Sequence, residues 1–270
     1  MSRDRNRSRR MNRNVFIDNL RGFNLINMIL FHGIWDLVYI FGCDIKWFDS
    51  WIGVVWQIFI ACTFVVIAGY CYGYSRNKLK HGLKVFIAGG IISLVTYIFM
   101  PENIIIFGVL TMLGSCMIIM VPTQKLLHKI NAYIGFGVFL ILFIMTYNIS
   151  LGYIGIKSIL SIDLPKRMYS NWISTFMGFP MDEFYSTDYF GIIPWFFLFV
   201  VGYYLKSIID NLSLVKVINE AKEKCEDKGI HIKGRGPINW LGRHSLIVYM
   251  VHQPVVYGIL ALIFKIWGNM

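Results

Sequence analysis

Charged residues are scarce in this chain. They make up 15% of its 270 residues, against roughly a quarter in an average soluble domain. With 56% hydrophobic residues and a mean hydropathy of +0.57, this excludes an ordinary soluble globule and predicts a polytopic membrane protein. Acidic groups are the scarcer sign, 15 Asp and Glu against 26 Lys and Arg. The five cysteines (Cys43, Cys62, Cys71, Cys116 and Cys225) form no C-x-x-C pair and no metal-ligand spacing. No metal centre or structural disulfide is therefore expected, and the cysteines in apolar runs read as small buried side chains. No internal repeat is visible, which counts against an inverted-repeat transporter. Neither a heptad pattern nor a small-residue dimer face is present, so oligomeric state is not legible. The first apolar run is too long for a signal h-region and lacks a small-residue cleavage site, so no cleavable signal is expected.

What is present is a set of long apolar runs, with spans expected near 15–41, 51–74, 83–100, 104–121, 131–149, 189–206 and 243–266. The expectation is an all-α polytopic integral membrane bundle of about seven transmembrane helices, with 1–14 a basic cytoplasmic tail and 15–270 a single transmembrane domain. The stretch 150–163 is apolar but short and lysine-bearing. It reads as a continuation of the fifth span, an interfacial helix or a re-entrant piece. Basic residues set the orientation. Segments expected inside carry six in the tail, four at 75–84, two at 122–130 and eight at 206–243, twenty in all. Segments outside hold five: Lys46, Lys157, Lys166, Arg167 and Lys265. That asymmetry places the N-terminus in the cytoplasm. A basic tail before a span marks the cytoplasmic side, so nucleic acid is not expected as a partner and the lipid bilayer is. The expected location is a plasma membrane, the inner membrane in a bacterium.

The first span is the anomaly. VFIDNLRGFNLINMILFHGIWDLVYIF holds Asp18, Arg21, Asn24, Asn27, His32 and Asp36 within its apolar run. Ionisable groups in a membrane span cost several kcal/mol unless they are paired or face water, so they are functional candidates by default. Arg21 and His32, eleven residues apart, fall within about 20° of one another on the helix wheel, and Asp18, Asn24 and Asp36 flank them within about 60°. One polar stripe thus runs along the helix, its arginine end inside and its histidine about 16 Å further out. His32 and Asp36 form an i,i+4 pair that can touch, as suits a general base whose carboxylate fixes the tautomer. Asn24 is placed to hydrogen-bond a ligand threading between the two ends. Asn27 points further round, toward an interhelical bond.

The last span repeats the pattern. NWLGRHSLIVYMVHQP places Ser245, Tyr249 and His252 within about 60° of one another, with Arg243 and His244 at the cytoplasmic N-terminus, where anions are favoured. These five, with Asn24, are the expected cofactor-binding residues. The outer segment 150–188 is longer than a connection needs and reads as a lid or substrate surface. Asp188 and Trp195, on DYFGIIPW, are the expected substrate-binding residues, although a helix N-cap explains Asp188 equally well. The inner run 207–238, rich in lysine and glutamate, reads as a solvated face.

Four segments in order, IDNLRGFNLINMILFHGIWDL, FGVLTMLGS, MGFPMDEFYSTDYFGIIPWFFLFVVGYYLK and LGRHSLIVYMVHQP, resemble the bacterial relatives of heparan-α-glucosaminide N-acetyltransferase. These are membrane acyltransferases similar to the polysaccharide O-acyltransferases, whose arginine–ten–histidine pair is like Arg21 and His32 and is needed for activity. The resemblance implies that acetyl-CoA, or another acyl-CoA, binds from the cytoplasm and that its acyl group reaches a sugar or small-molecule acceptor on the other side. Where related chains carry a histidine in the glycine-bounded span, this one has Thr111-Met112, so no second histidine is expected there. The heparan-specific luminal parts are absent, so the sugar does not transfer with the family. Catalytic roles fall to His32, Asp36 and Arg21. Two rivals stand beside this reading. One is a proton-coupled transporter using the Arg21, His32 and Asp36 stripe, the other a sensor whose polar stripes only join helices.

Overall fold

The computed structural model describes residues 15–157, 159–212 and 236–267. The basic tail and most of the inner lysine–glutamate run, with Cys225, lie outside the described residues. The described chain is helical, interrupted by one short hairpin: α1 (Val15–Tyr39), α2 (Trp51–Tyr72), α3 (Lys78–Phe99), α4 (Val109–Leu127), α5 (Ala132–Thr146), β1 (Tyr153–Ile156), β2 (Leu160–Asp163), α6 (Trp172–Met177), α7 (Ile192–Asn211), α8 (Pro237–Arg243) and α9 (Ser245–Trp267). Six of these helices, α2, α3, α4, α5, α7 and α9, are long and apolar enough to cross a membrane. The protein is a multi-pass helical membrane protein. The expected count of about seven included α1, which matches the others in length but is made more polar by the stripe it carries.

Two boundaries move for physical reasons. The fourth helix runs 109–127 rather than 104–121, because a 3₁₀ turn at Pro101–Asn103 and an extended stretch to Gly108 come first, and because the helix continues through Pro122. Ile193 takes an extended conformation (φ −91°, ψ 127°), as the residue before a proline prefers, so regular helix in α7 starts at Pro194. At 150–163 the structure corrects the expectation. The apolar span of α5 runs on to Leu151, but from Tyr153 the segment is neither a helix continuation nor an interfacial helix: it is an antiparallel β-hairpin pairing Tyr153 with Asp163 and Ile156 with Leu160. Gly152, at φ 94°, ends the preceding 3₁₀ turn in a left-handed conformation that stops helix growth, and the β-branched Ile154, Ile156 and Ile162 favour strand.

The described chain divides into two compact units. The described residues of Met1–Phe64 and Gly229–Met270 make one, and those of Val65–Lys228 make the other. In the first, Leu25, Met28, Phe31, Phe48 and Ile60 form a buried cluster with Trp35, Trp56, Val248 and Tyr249 packed against it. The loop after α1 is closed by the Tyr39 hydroxyl, which donates to Asp49 Oδ1 at 2.6 Å.

In the second unit α3 packs along α4, and α7 packs against both α4 and α5. Met112, Cys116, Met120, Phe199 and Val200 are fully buried there. The Tyr204 hydroxyl of α7 donates to the Leu127 carbonyl at 2.9 Å, satisfying one of the carbonyls a helix C-terminus leaves open. Tyr204→Phe is expected to lower stability by about 1 kcal/mol, read by thermal unfolding in detergent, because the ring still fills its buried site and only the hydrogen bond goes. Phe107 is the one described non-glycine residue with positive φ (55°). Its ring is enclosed by Trp172, Phe176 and Phe184, and its carbonyl accepts from Phe190 N–H, contacts that hold an otherwise unfavourable backbone.

Candidate functional site

The polar stripe of α1 faces α8 and α9 within the first unit. The close approach of α1 to α8 has a simple origin. A side chain at Gly22 would collide with the Ile238 carbonyl, and one at Gly242 with the Asp18 carbonyl, so the two backbones meet where only glycine fits. Asn239 of α8, itself buried, donates from Nδ2 to the Val15 carbonyl at 3.4 Å.

This contact assembles the arginine end of the stripe. Asp18 is buried at 2% exposure and holds two guanidiniums: Arg21 Nη1 lies 3.9 Å from its Oδ1, and Arg243 Nε 3.6 Å from its Oδ2. One buried carboxylate thus lies between two arginines, and both arginine side chains keep partial exposure (26% and 41%). Such a cluster attracts anions. Arg243 ends the short helix α8, and His244 lies between α8 and α9 rather than inside the last span's first turn. The His244 ring stacks near Trp240 (4.6 Å between centroids), with Nδ1 2.9 Å from the Trp240 carbonyl. Ser245 opens α9.

The middle and the histidine end of the stripe meet α9. Asn24 is fully buried, and its Nδ2 donates to the Ile60 carbonyl of α2 at 3.1 Å. Asn27 accepts from Trp56 Nε1 at 3.1 Å, an interhelical bond as its position on the wheel implied. Tyr249 lies between Phe64 and His252, with centroids 5.6 and 5.4 Å away. The rings of His32 and His252 lie 5.0 Å apart at 55°. Asp36, with no exposure at all, accepts from Gln253 Nε2 at 2.6 Å.

That last contact corrects one expectation. The i,i+4 spacing allows Asp36 to reach His32, but its hydrogen bond goes across to α9, where a side-chain amide offers a donor aimed directly at the carboxylate. Sequence reasoning passed over Gln253, Asn239, Gly22 and Gly242. Gln253 is itself a polar residue inside an apolar span, and that was the available signal. The glycines carry no such mark, because close approach is a property of two helices together.

The remaining two candidates belong to the second unit. Asp188 Oδ2 accepts from Val109 N–H at 3.4 Å, so its carboxylate sits at the N-terminus of α4, a cap for a helix distant in sequence, while Gly191 precedes α7. Trp195 packs among Phe143, Tyr147 and Phe190. Between β2 and α6, Tyr169 donates to the Ile149 carbonyl at 2.5 Å, and burial raises its phenol above the ordinary value of 10.0, keeping it a donor.

The family model of the heparan-α-glucosaminide N-acetyltransferase catalytic domain matches residues 13–254. No curated protein and no solved structure matches the chain. The matched range takes in both ends of the stripe, from Asp18 to Gln253.

Proposed function

The chain belongs to the heparan-α-glucosaminide N-acetyltransferase catalytic family and is a membrane acetyltransferase; from that premise we propose that it moves an acetyl group from cytoplasmic acetyl-CoA to a hydroxyl or amine of a sugar-like acceptor at the outer side. His32 is the general base. It takes the acceptor proton as the acceptor oxygen or nitrogen attacks the thioester carbonyl, the carbon–sulfur bond breaks, and the proton passes on to the departing coenzyme A thiolate. Arg21 and Arg243, both partly exposed beside Asp18, hold the anionic or amide-bearing parts of the donor, with His244, Ser245 and Tyr249 following Arg243 in the chain. Asp188 and Trp195 are the proposed acceptor-side residues.

The observation that carries this reading is the state of the polar groups along α1 and α9. A seam that only joined helices would pair its buried atoms, since each one left open costs about 1–3 kcal/mol. Here Asp36 Oδ2, Gln253 Oε1 and His252 Nε2 are buried without a hydrogen-bond partner among the described residues, and the His252 ring lies 5.0 Å from that of His32. Unpaired polar atoms retained beside a histidine fit a reaction centre.

The test is acetyl-CoA binding and turnover by the protein reconstituted in nanodiscs, with hydroxyl and amine sugars as acceptors. Wild-type protein is expected to bind acetyl-CoA and release free coenzyme A. Arg21→Ala is expected to weaken that binding about tenfold, a loss of about 1.4 kcal/mol. Protein that neither binds nor turns over acyl-CoA, but passes solutes across vesicles, would establish the transporter reading instead.

A further inference from the structure

The acetyl-transfer reading needs something to orient His32, and the hydrogen bond of Asp36 goes to Gln253 and not to His32. We propose that His252 is the positioning residue: its Nε2 lone pair accepts the N–H on the far side of the His32 ring, which turns the other His32 nitrogen, free of hydrogen, toward the acceptor. The inference rests on the proposed function and goes beyond it by naming the partner of the base.

The argument starts from the His252 ring. Its Nδ1 lies 2.5 Å from the Tyr249 carbonyl oxygen one turn back. A carbonyl only accepts, so Nδ1 carries the hydrogen, and in the neutral ring Nε2 is then an acceptor. That Nε2 is buried and has no hydrogen-bond partner among the described residues. An acceptor held in one tautomer by backbone, and left open in the interior, waits for a donor. The ring that faces it is His32, with centroids 5.0 Å apart at a 55° tilt; the two rings share no hydrogen bond in this structure, and in the proposed pairing a turn of the His32 ring brings its N–H to the open lone pair.

The neighbouring polar groups keep this pairing in place. Gln253, next in the chain, donates to Asp36 Oδ1, tying α9 to α1 one helical turn beyond His32. The Gly22 and Gly242 contacts tie the same pair of helices at their arginine end. The histidine pair is therefore bracketed by two fixed points. When His32 takes the acceptor proton it becomes an imidazolium, and the hydrogen bond to His252 Nε2 spreads that charge over two rings. The proton taken from the acceptor leaves with the thiolate, so the pair returns to its starting state after each turnover. A carboxylate partner would hold its histidine by charge; a neutral imidazole of fixed tautomer does so without adding a buried anion to the span.

His252→Asn separates positioning from packing, because an asparagine amide can still donate to the Tyr249 carbonyl but has no lone pair at the Nε2 position. In nanodiscs this variant is expected to keep its thermal midpoint while kcat falls about 100-fold or more. A second measurement does not depend on activity. Nitrogen-15 histidine spectra of the wild type should show His252 Nε2 as a hydrogen-bonded acceptor, and in His32→Ala that resonance should move to the position of an unbonded acceptor. His252→Asn with wild-type kcat overturns the proposal, and so does a His252 Nε2 signal unchanged by His32→Ala. If wild-type protein shows no acyl transfer but the Nε2 signal does respond to His32→Ala, the histidine pair stands and the acetyltransfer reading falls.

Discussion

Replacing His32 with alanine is expected to lower acetyl transfer by about 10²–10⁴-fold, the usual contribution of a positioned general base. The side chain is half-buried and gives up only its pairing with His252, so the variant should fold and insert as wild type does. Arg21 lies about 16 Å away along α1, and Arg243 meets the same end of that helix at Asp18, so acetyl-CoA affinity should change less than twofold. The loss should therefore fall on kcat and leave KM for acetyl-CoA in place, the pattern of an interaction made only in the transition state. Stopped-flow or coupled release of free coenzyme A in nanodiscs measures it. Turnover within a factor of three of wild type would remove His32 from the mechanism and turn the stripe into a structural seam.

The second large effect concerns a residue with no chemistry of its own. Gly242→Ala places a methyl group against the Asp18 carbonyl oxygen, and neither backbone can yield without separating α8 from α1. Overpacking of this kind typically costs about 1–3 kcal/mol, and backbone against backbone belongs at the upper end. Separation also pulls Arg243 from Asp18, so acetyl-CoA affinity should fall together with the thermal midpoint. Gly258→Ala is the control. It lies in α9 of the same unit, nothing stands within 4 Å of its added carbon, and alanine is the better helix former, so stability should hold or rise slightly. Equal midpoints for the Gly242 and Gly258 variants would mean that the α1–α8 contact does not organise the arginine end of the stripe.

Much of the fold was legible because the signals are local. Long apolar runs gave six membrane-capable helices, and a period of 3.6 residues put Asp18, Arg21, His32 and Asp36 on one side of α1 before any coordinates were needed. The hairpin at 150–163 was not legible as such. Its residues are apolar enough for a membrane segment, and the choice of strand came from the left-handed turn at Gly152 and from pairing between two short stretches. The fourth helix was misplaced by five residues because loop 104–108 is pinned by residues far along the chain, with Ser186 and Asp188 accepting from Ile106 and Val109.

The sequence by itself determined that this is a multi-pass helical membrane protein of an acetyltransferase family, and that its first helix carries an ionisable seam. Periodicity and hydropathy belong to one segment at a time, so one segment suffices to read them. Only the tertiary structure decided who meets whom: Asp36 with Gln253 and not His32, His32 with His252, and Arg243 with Asp18. Those pairings depend on how one helix is rotated and how closely it approaches another. Here glycines at positions 22 and 242 set that approach, and their consequence appears only when both backbones are in view.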